Sequence, residues 1–170
     1  MKITDYKNIF VYGDAGRGKT TLSKKISEYL DYPILHLDDV YWEEWLTKER
    51  DKGEQGQMII EFLDANCKWV IEGCTRSRHK AFLHDVDLII YLKYKNIFQQ
   101  LFTVWKRAKD RNEPFHQVMS FSINLIKKNY KLGKYKNKPN FKESISEYNG
   151  DMIEFSSFEE IDNFVKENLV

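Results

Sequence analysis

Eight residues near the start of the chain, Gly13-Asp14-Ala15-Gly16-Arg17-Gly18-Lys19-Thr20, fit the phosphate-binding pattern G-x-x-x-x-G-K-[ST]. Their surroundings agree with it. The apolar run Ile9-Phe10-Val11-Tyr12 reads as a buried strand ahead of the loop. Thr21 to Leu30 follows with apolar residues at 22, 26, 29 and 30, a helical spacing. Glycines let such a backbone wrap so that successive N–H groups point inward, and the helix start adds partial positive charge. The stretch Gly13 to Thr21 is therefore expected to hold ATP, with Lys19 at the β and γ phosphates and the Thr20 hydroxyl on Mg²⁺.

Strand-like and helix-like patterns alternate through the rest of the chain. Ile34 to Leu37 reads as a second strand ending at Asp38-Asp39, and Trp69 to Ile71 as a third ending at Glu72-Gly73. Val86 to Leu92 is a fourth, and its nearly unbroken apolar character suits a strand covered on both faces. A fifth runs from Asp151 to Phe155. Helices are expected over Gln57 to Asn66, about 96–111, about 115–132, and Phe158 to Leu169. Residues 40–52 are aromatic and charged, and no element is assigned to them. This alternation implies an α/β fold with a parallel sheet, whose ligands bind beyond the carboxyl ends of the strands. At 170 residues the chain is expected to form a single domain, 1–170.

Composition narrows the partners. A net charge of +1 gives no global field for nucleic acid, and no stretch approaches the length of an apolar membrane span. Neither is expected as a partner. Lysines interleave with Tyr130 and Tyr135 over 127–138, a segment open to two readings: part of a lid, or a nucleic-acid contact. Cys67 and Cys74 have no metal-ligand spacing with the histidines and are expected as reduced thiols. Met1 to Asn8 is polar, and a cytoplasmic location is expected.

The acids and arginines at the strand ends decide the chemistry. Asp38 can accept a proton from an acceptor hydroxyl or help hold Mg²⁺, and Glu72 stands where a second metal-facing acid belongs. The competing reading of Asp38 is a helix N-cap or an Asx turn. Arg76 and Arg78 suit an anionic or planar acceptor, and Trp42 and Trp45 can wall the same pocket.

These residues resemble the small P-loop kinases of the adenylate kinase, shikimate kinase and uridine kinase type. His36 to Tyr41 is similar to the acid-aromatic box after strand two, and Glu72-Gly73-Cys74-Thr75-Arg76 is similar to the Asp-Gly-Phe-Pro-Arg stretch. Over its whole length the chain looks most like the bacterial DNA topology modulation, or adenylate-kinase-related, proteins. Ile34 to Trp42, Trp69 to Gly73 and Trp105-Lys106-Arg107 carry that likeness. The resemblance implies a three-layer P-loop NTPase fold with five parallel strands in the order 2-3-1-4-5. It implies a helical lid within about 100–138, with Arg107 and Arg111 closing over the transferred phosphoryl. The expected function is transfer of the γ-phosphoryl of ATP to a small hydroxyl or phosphate acceptor. A nucleic-acid-associated NTPase and a non-catalytic ATP-binding switch stay open as alternatives.

Overall fold

Five short apolar segments lie side by side in a parallel sheet. The computed structural model describes residues 2–44, 48–73, 82–137, 143, 145 and 148–169. Its strands are β1 (Asn8–Gly13), β2 (Ile34–His36), β3 (Trp42–Glu44), β4 (Lys48–Glu49), β5 (Trp69–Gly73), β6 (Leu88–Leu92) and β7 (Asp151–Phe155). The helices are α1 (Lys19–Leu30), α2 (Leu37–Tyr41), α3 (Lys52–Ala65), α4 (Ile97–Asp110), α5 (Phe115–Asn129) and α6 (Phe158–Asn168). The main sheet is ordered β2-β5-β1-β6-β7, while β3 and β4 pair as a separate antiparallel hairpin. Among the five parallel strands alone this is the order 2-3-1-4-5, and the labels shift only because the hairpin intervenes.

Alternation along the strands builds two cores from one sheet. Ile9, Val11, Val70, Leu88, Ile90 and Leu92 face α1 and α6, where Leu22, Ile26, Ile161 and Phe164 cover them. Phe10, Tyr12, Trp69, Ile71 and Ile89 face the other way, against Ile59 of α3 and the Phe82 ring. Each such side chain contributes about 1.5–3 kcal/mol when fully buried, so β1, β5 and β6 anchor the fold. The α4–α5 pair belongs to neither core. It packs on itself, with the Trp105 indole N–H donating to Ser122 Oγ at 3.0 Å and its ring edge-on to Phe115.

Several expected boundaries move for identifiable reasons. α1 starts at Lys19 rather than Thr21, because Gly18 with φ 85° turns the loop directly into the helix. β2 stops at His36, and Leu37 opens a five-residue helix, so Asp38 lies inside a helical turn and does not end the strand. α3 begins five residues early, where the Asp51 side chain accepts the N–H groups of Gly53 and Glu54. Gly53 and Gly56 conceal that start by lowering helix propensity. α5 ends at Asn129, three residues short of the expected limit, as Lys131 turns to φ 52°.

A tyrosine ties the entry of β1 to the edge strand β7. The Tyr6 hydroxyl donates to Asp151 Oδ2 at 2.6 Å, joining the entry to β1 with the start of β7. That bond, then burial and the nearby acids, push its pKa up to about 12. The folded protein thus holds this proton more tightly than the unfolded chain, whose tyrosines titrate at about 10. Its stabilising effect is present below about pH 10 and is lost as pH rises to about 12. Tyr91, also raised to about 12 by burial, declines in the same window. Tyr6→Phe should therefore flatten part of the loss of stability between about pH 10 and 12, measured by urea unfolding. An unchanged slope would show that the bond to Asp151 does not persist in solution.

Candidate functional site

The phosphate loop emerges where β1 ends against β6, and Gly13 makes that approach possible. A Cβ there would lie 2.0 Å from the Leu92 carbonyl oxygen. Asp14 then anchors the loop from both chain directions. Its N–H donates to the Leu92 carbonyl at 2.8 Å, and its Oδ2 accepts the Tyr94 N–H at 3.0 Å. Its carbonyl accepts both the Lys19 ammonium at 3.1 Å and the Arg17 N–H at 3.3 Å. Gly16 and Gly18 have φ 80° and 85°, a region that glycine enters without strain. The N-cap residue of α1 is Gly18, which has no side chain to cap the helix, so its first amides open toward the loop.

Two acids stand beside this loop in different environments. Glu72 is buried at the end of β5, and its Oε1 accepts the Thr20 hydroxyl at 3.2 Å. The same oxygen lies 2.8 Å from His36 Nδ1. Asp38 is exposed in the first turn of α2, directly after Leu37. Leu37 sits so closely over Gly73 that a Cβ on the glycine would stand 2.7 Å from the leucine Cβ. This places Asp38 at the carboxyl end of β5. The N-cap position of α2 is His36, so Asp38 does not play the capping role that competed with a chemical one.

Arg17 takes a direction that its place in the loop did not suggest. It is only 3% exposed, with its guanidinium 4.8 Å from the Tyr94 ring centroid and 4.4 Å from that of Phe158. Among the described residues, its Nε and one terminal nitrogen are buried without a hydrogen-bond partner. Burial lowers its pKa, partly offset by Tyr94, Glu160 and Asp14. A cavity of about 360 Å³ adjoins it, lined also by Phe102 and Thr103 of α4 and by Ser156 to Phe158.

The remaining expected site residues are less gathered. Trp42 is half-buried in β3, edge-on to Tyr41, and its carbonyl accepts from Arg50 at 3.3 Å. Arg107 is exposed in the last turn of α4, and Arg111 is the residue that closes the helix. Among the described residues neither forms a side-chain hydrogen bond or ion pair with the loop. The buried face of α4 is Ile97, Gln100, Val104 and Ala108, whereas Trp105 turns toward α5. Arg76, Arg78, Trp45 and Cys74 lie outside the described residues, and Cys67 is an exposed free thiol. His36 and Tyr94 were not assigned roles from sequence. The signal for His36 lay in the acid box itself, two residues before Asp38.

The geometry fits a metal held largely by its substrate. Thr20 and Glu72 supply oxygen donors in contact, but among the described residues no cluster of three or more His, Cys, Asp or Glu side chains could hold a metal. Mg²⁺ characteristically takes one or two protein ligands and completes its shell with phosphate oxygens and water.

Solved structures place this architecture. The shikimate kinase of Acinetobacter baumannii, solved with shikimate, is similar with a TM-score of 0.54 at 18% identity, over 95% of this chain and 92% of that one. A gluconokinase from Sinorhizobium meliloti 1021 is similar with a TM-score of 0.54 at 14% identity, over 99% and 91%. The chain therefore has the α/β fold of the P-loop kinases. In sequence it is 30% identical over 86 residues to the uncharacterized protein YqaC of Bacillus subtilis strain 168. That match spans 51% of this chain and 48% of YqaC, about half of each. No protein-family model matches the chain.

Arg17 yields a test of the site's electrostatics. Arg17→Met keeps an unbranched stem between the two rings and removes buried, unpartnered donors. Folding stability should hold or rise by about 1–2 kcal/mol in urea unfolding. A loss of about 2 kcal/mol or more would show that the guanidinium is paired in solution.

Proposed function

We propose that this chain is a Mg²⁺-dependent kinase that moves the γ-phosphoryl of ATP to a small hydroxyl or phosphate acceptor. The observation that carries the reading is the contact between Thr20 and Glu72, one helical position after Lys19. A hydroxyl next to the loop lysine and a buried strand-end carboxylate are the two oxygen donors that a loop-bound metal nucleotide requires. When bound, Mg²⁺ would neutralise charge on the transferring phosphoryl. Lys19 and the loop amides would stabilise the same charge from the protein side.

Asp38 is the base of choice for the acceptor. Its exposure leaves the carboxylate free to meet a substrate hydroxyl, while α2 fixes its place beside the end of β5. Arg76 and Arg78 would bind the acceptor, with Trp42 as a wall. The α4–α5 pair, with Arg107 and Arg111, would act as the lid. Its exposed Phe98, Phe102, Phe115 and Tyr130 suit a surface that covers a ligand on closing. The resemblance of His36 to Tyr41 to the acid-aromatic box of the uridine-kinase-type enzymes supports the same assignment. A nucleic-acid-associated NTPase is the second reading, favoured by exposed Tyr130 and Leu132 among Lys127, Lys128 and Lys131.

An ADP-release screen against nucleotides, nucleosides, sugars and hydroxy acids tests the proposal. Stimulation by one small acceptor supports it. Stimulation by DNA or RNA alone, falling steeply with salt, replaces it with the second reading.

Two substitutions separate binding from chemistry. Lys19→Ala should weaken Mg·ATP binding at least ~10-fold, about 1.4 kcal/mol, while the melting temperature hardly changes. Unaltered affinity by calorimetry would remove the loop as the ATP site. Asp38→Asn should leave ATP binding intact and lower transfer by ~10²-fold or more. Full turnover in that variant would rule out Asp38 as the base.

A further inference from the structure

Glu72 is 4% exposed, and its Oε1 is shared between the Thr20 hydroxyl and His36 Nδ1. The sharing follows from strand register. His36 of β2 is paired directly with Glu72 of β5, so their side chains leave the sheet on the same face. Glu72 is also paired with Val11 of β1, and that face looks toward α1, where Thr20 lies. A carboxylate oxygen accepts, so the contact is made by the His36 tautomer with its proton on Nδ1. The imidazole caps no helix, although His36 occupies the N-cap position of α2. Its polar contact is spent on Glu72.

We propose that His36 is a positioning residue of the metal subsite. Through Nδ1–H it fixes the Glu72 carboxylate with Oε1 on the Thr20 hydroxyl, leaving Oε2 to receive a metal-bound water. Without this bond the carboxylate can rotate about its side-chain torsions, and its orientation toward the metal is lost. The inference rests on the proposed Mg·ATP reading of the site.

Calorimetry tests it by comparing ATP affinity in excess Mg²⁺ with affinity in EDTA. In the wild type Mg²⁺ should tighten binding. His36→Ala should leave metal-free affinity unchanged and cut the Mg²⁺-dependent gain by at least ~3-fold. His36→Asn, whose amide N–H can stand near the place of Nδ1, should recover most of the gain. His36→Leu fills the space without a donor and serves in place of Ala should that variant not fold. It should then behave as Ala is expected to.

A Mg²⁺-dependent gain unchanged in the donor-less variants overturns the proposal. So does an equal weakening with and without metal, which is what a merely structural histidine would produce. An Asn variant no better than the donor-less ones overturns it as well. A wild type whose ATP affinity ignores Mg²⁺ overturns the metal reading itself, and the role of His36 with it. A wild type that binds no ATP in either condition overturns the ATP reading first.

Discussion

The close approach of β1 and β6 at Gly13 and Leu92 governs the geometry of everything beyond it. Two parallel strands sit side by side, and the loop must leave β1 at the point where β6 is also turning out of the sheet. Only a residue without a Cβ tolerates the Leu92 carbonyl at that distance. The next residue then converts crowding into order. Asp14 uses its N–H, carboxylate and carbonyl to bind Leu92, Tyr94, Arg17 and Lys19. The loop is thereby tied to the segment that leads into α4 as firmly as to its own helix. Substitution at Gly13 would thus disturb the sheet and the loop at once.

Polar groups at the carboxyl edge divide into those satisfied within the protein and those that are not. Glu72, though buried, has two donors on one oxygen. Arg17 is equally buried and has two nitrogens with none among the described residues, held instead between two aromatic faces. Cation–π contact of this kind contributes about 0.5–2 kcal/mol, less than the usual cost of burying an unpaired charge. Burial accordingly lowers the Arg17 pKa, even with Asp14 and Glu160 nearby. Glu160 cannot readily relieve it, because its carboxylate accepts the N–H groups of Ser156 and Ser157 at the start of α6.

What the sequence revealed follows from the range of each interaction. The loop is a local pattern, and the central strands are nearly unbroken apolar runs, so both were legible. The order of the strands was not, and it came from resemblance to known kinases. Positions 40–52 carried no periodicity, yet they hold the end of α2 and the β3–β4 hairpin. Arg50 secures them by donating to the Val40 and Trp42 carbonyls, contacts that exist only once the chain has turned. His36 stood within a recognised run, but its meaning depends on Glu72, which is distant in sequence and adjacent only through strand pairing. The burial of Arg17 likewise depends on Tyr94 and Phe158, far along the chain.

The α4–α5 pair shows how such long-range contacts can reach the chemistry. Between residues 97 and 136 there are nine lysines and arginines against two acids, although the whole chain carries only +1. Exposed aromatic side chains are concentrated on the same segment. Surface of this kind gains stability by covering something apolar and anionic, which a nucleotide with its acceptor would be. The middle of α4 lies close over the loop: a Cβ on Gly16 would stand 3.5 and 3.8 Å from the Thr103 and Val104 side chains. On the proposed reading, α4 would move against Gly16 and the Tyr94 segment during closure. Phosphate binding and lid position would then be coupled through Gly16 and the Asp14–Tyr94 tether, with no hydrogen bond or ion pair from Arg107 or Arg111 to the loop among the described residues.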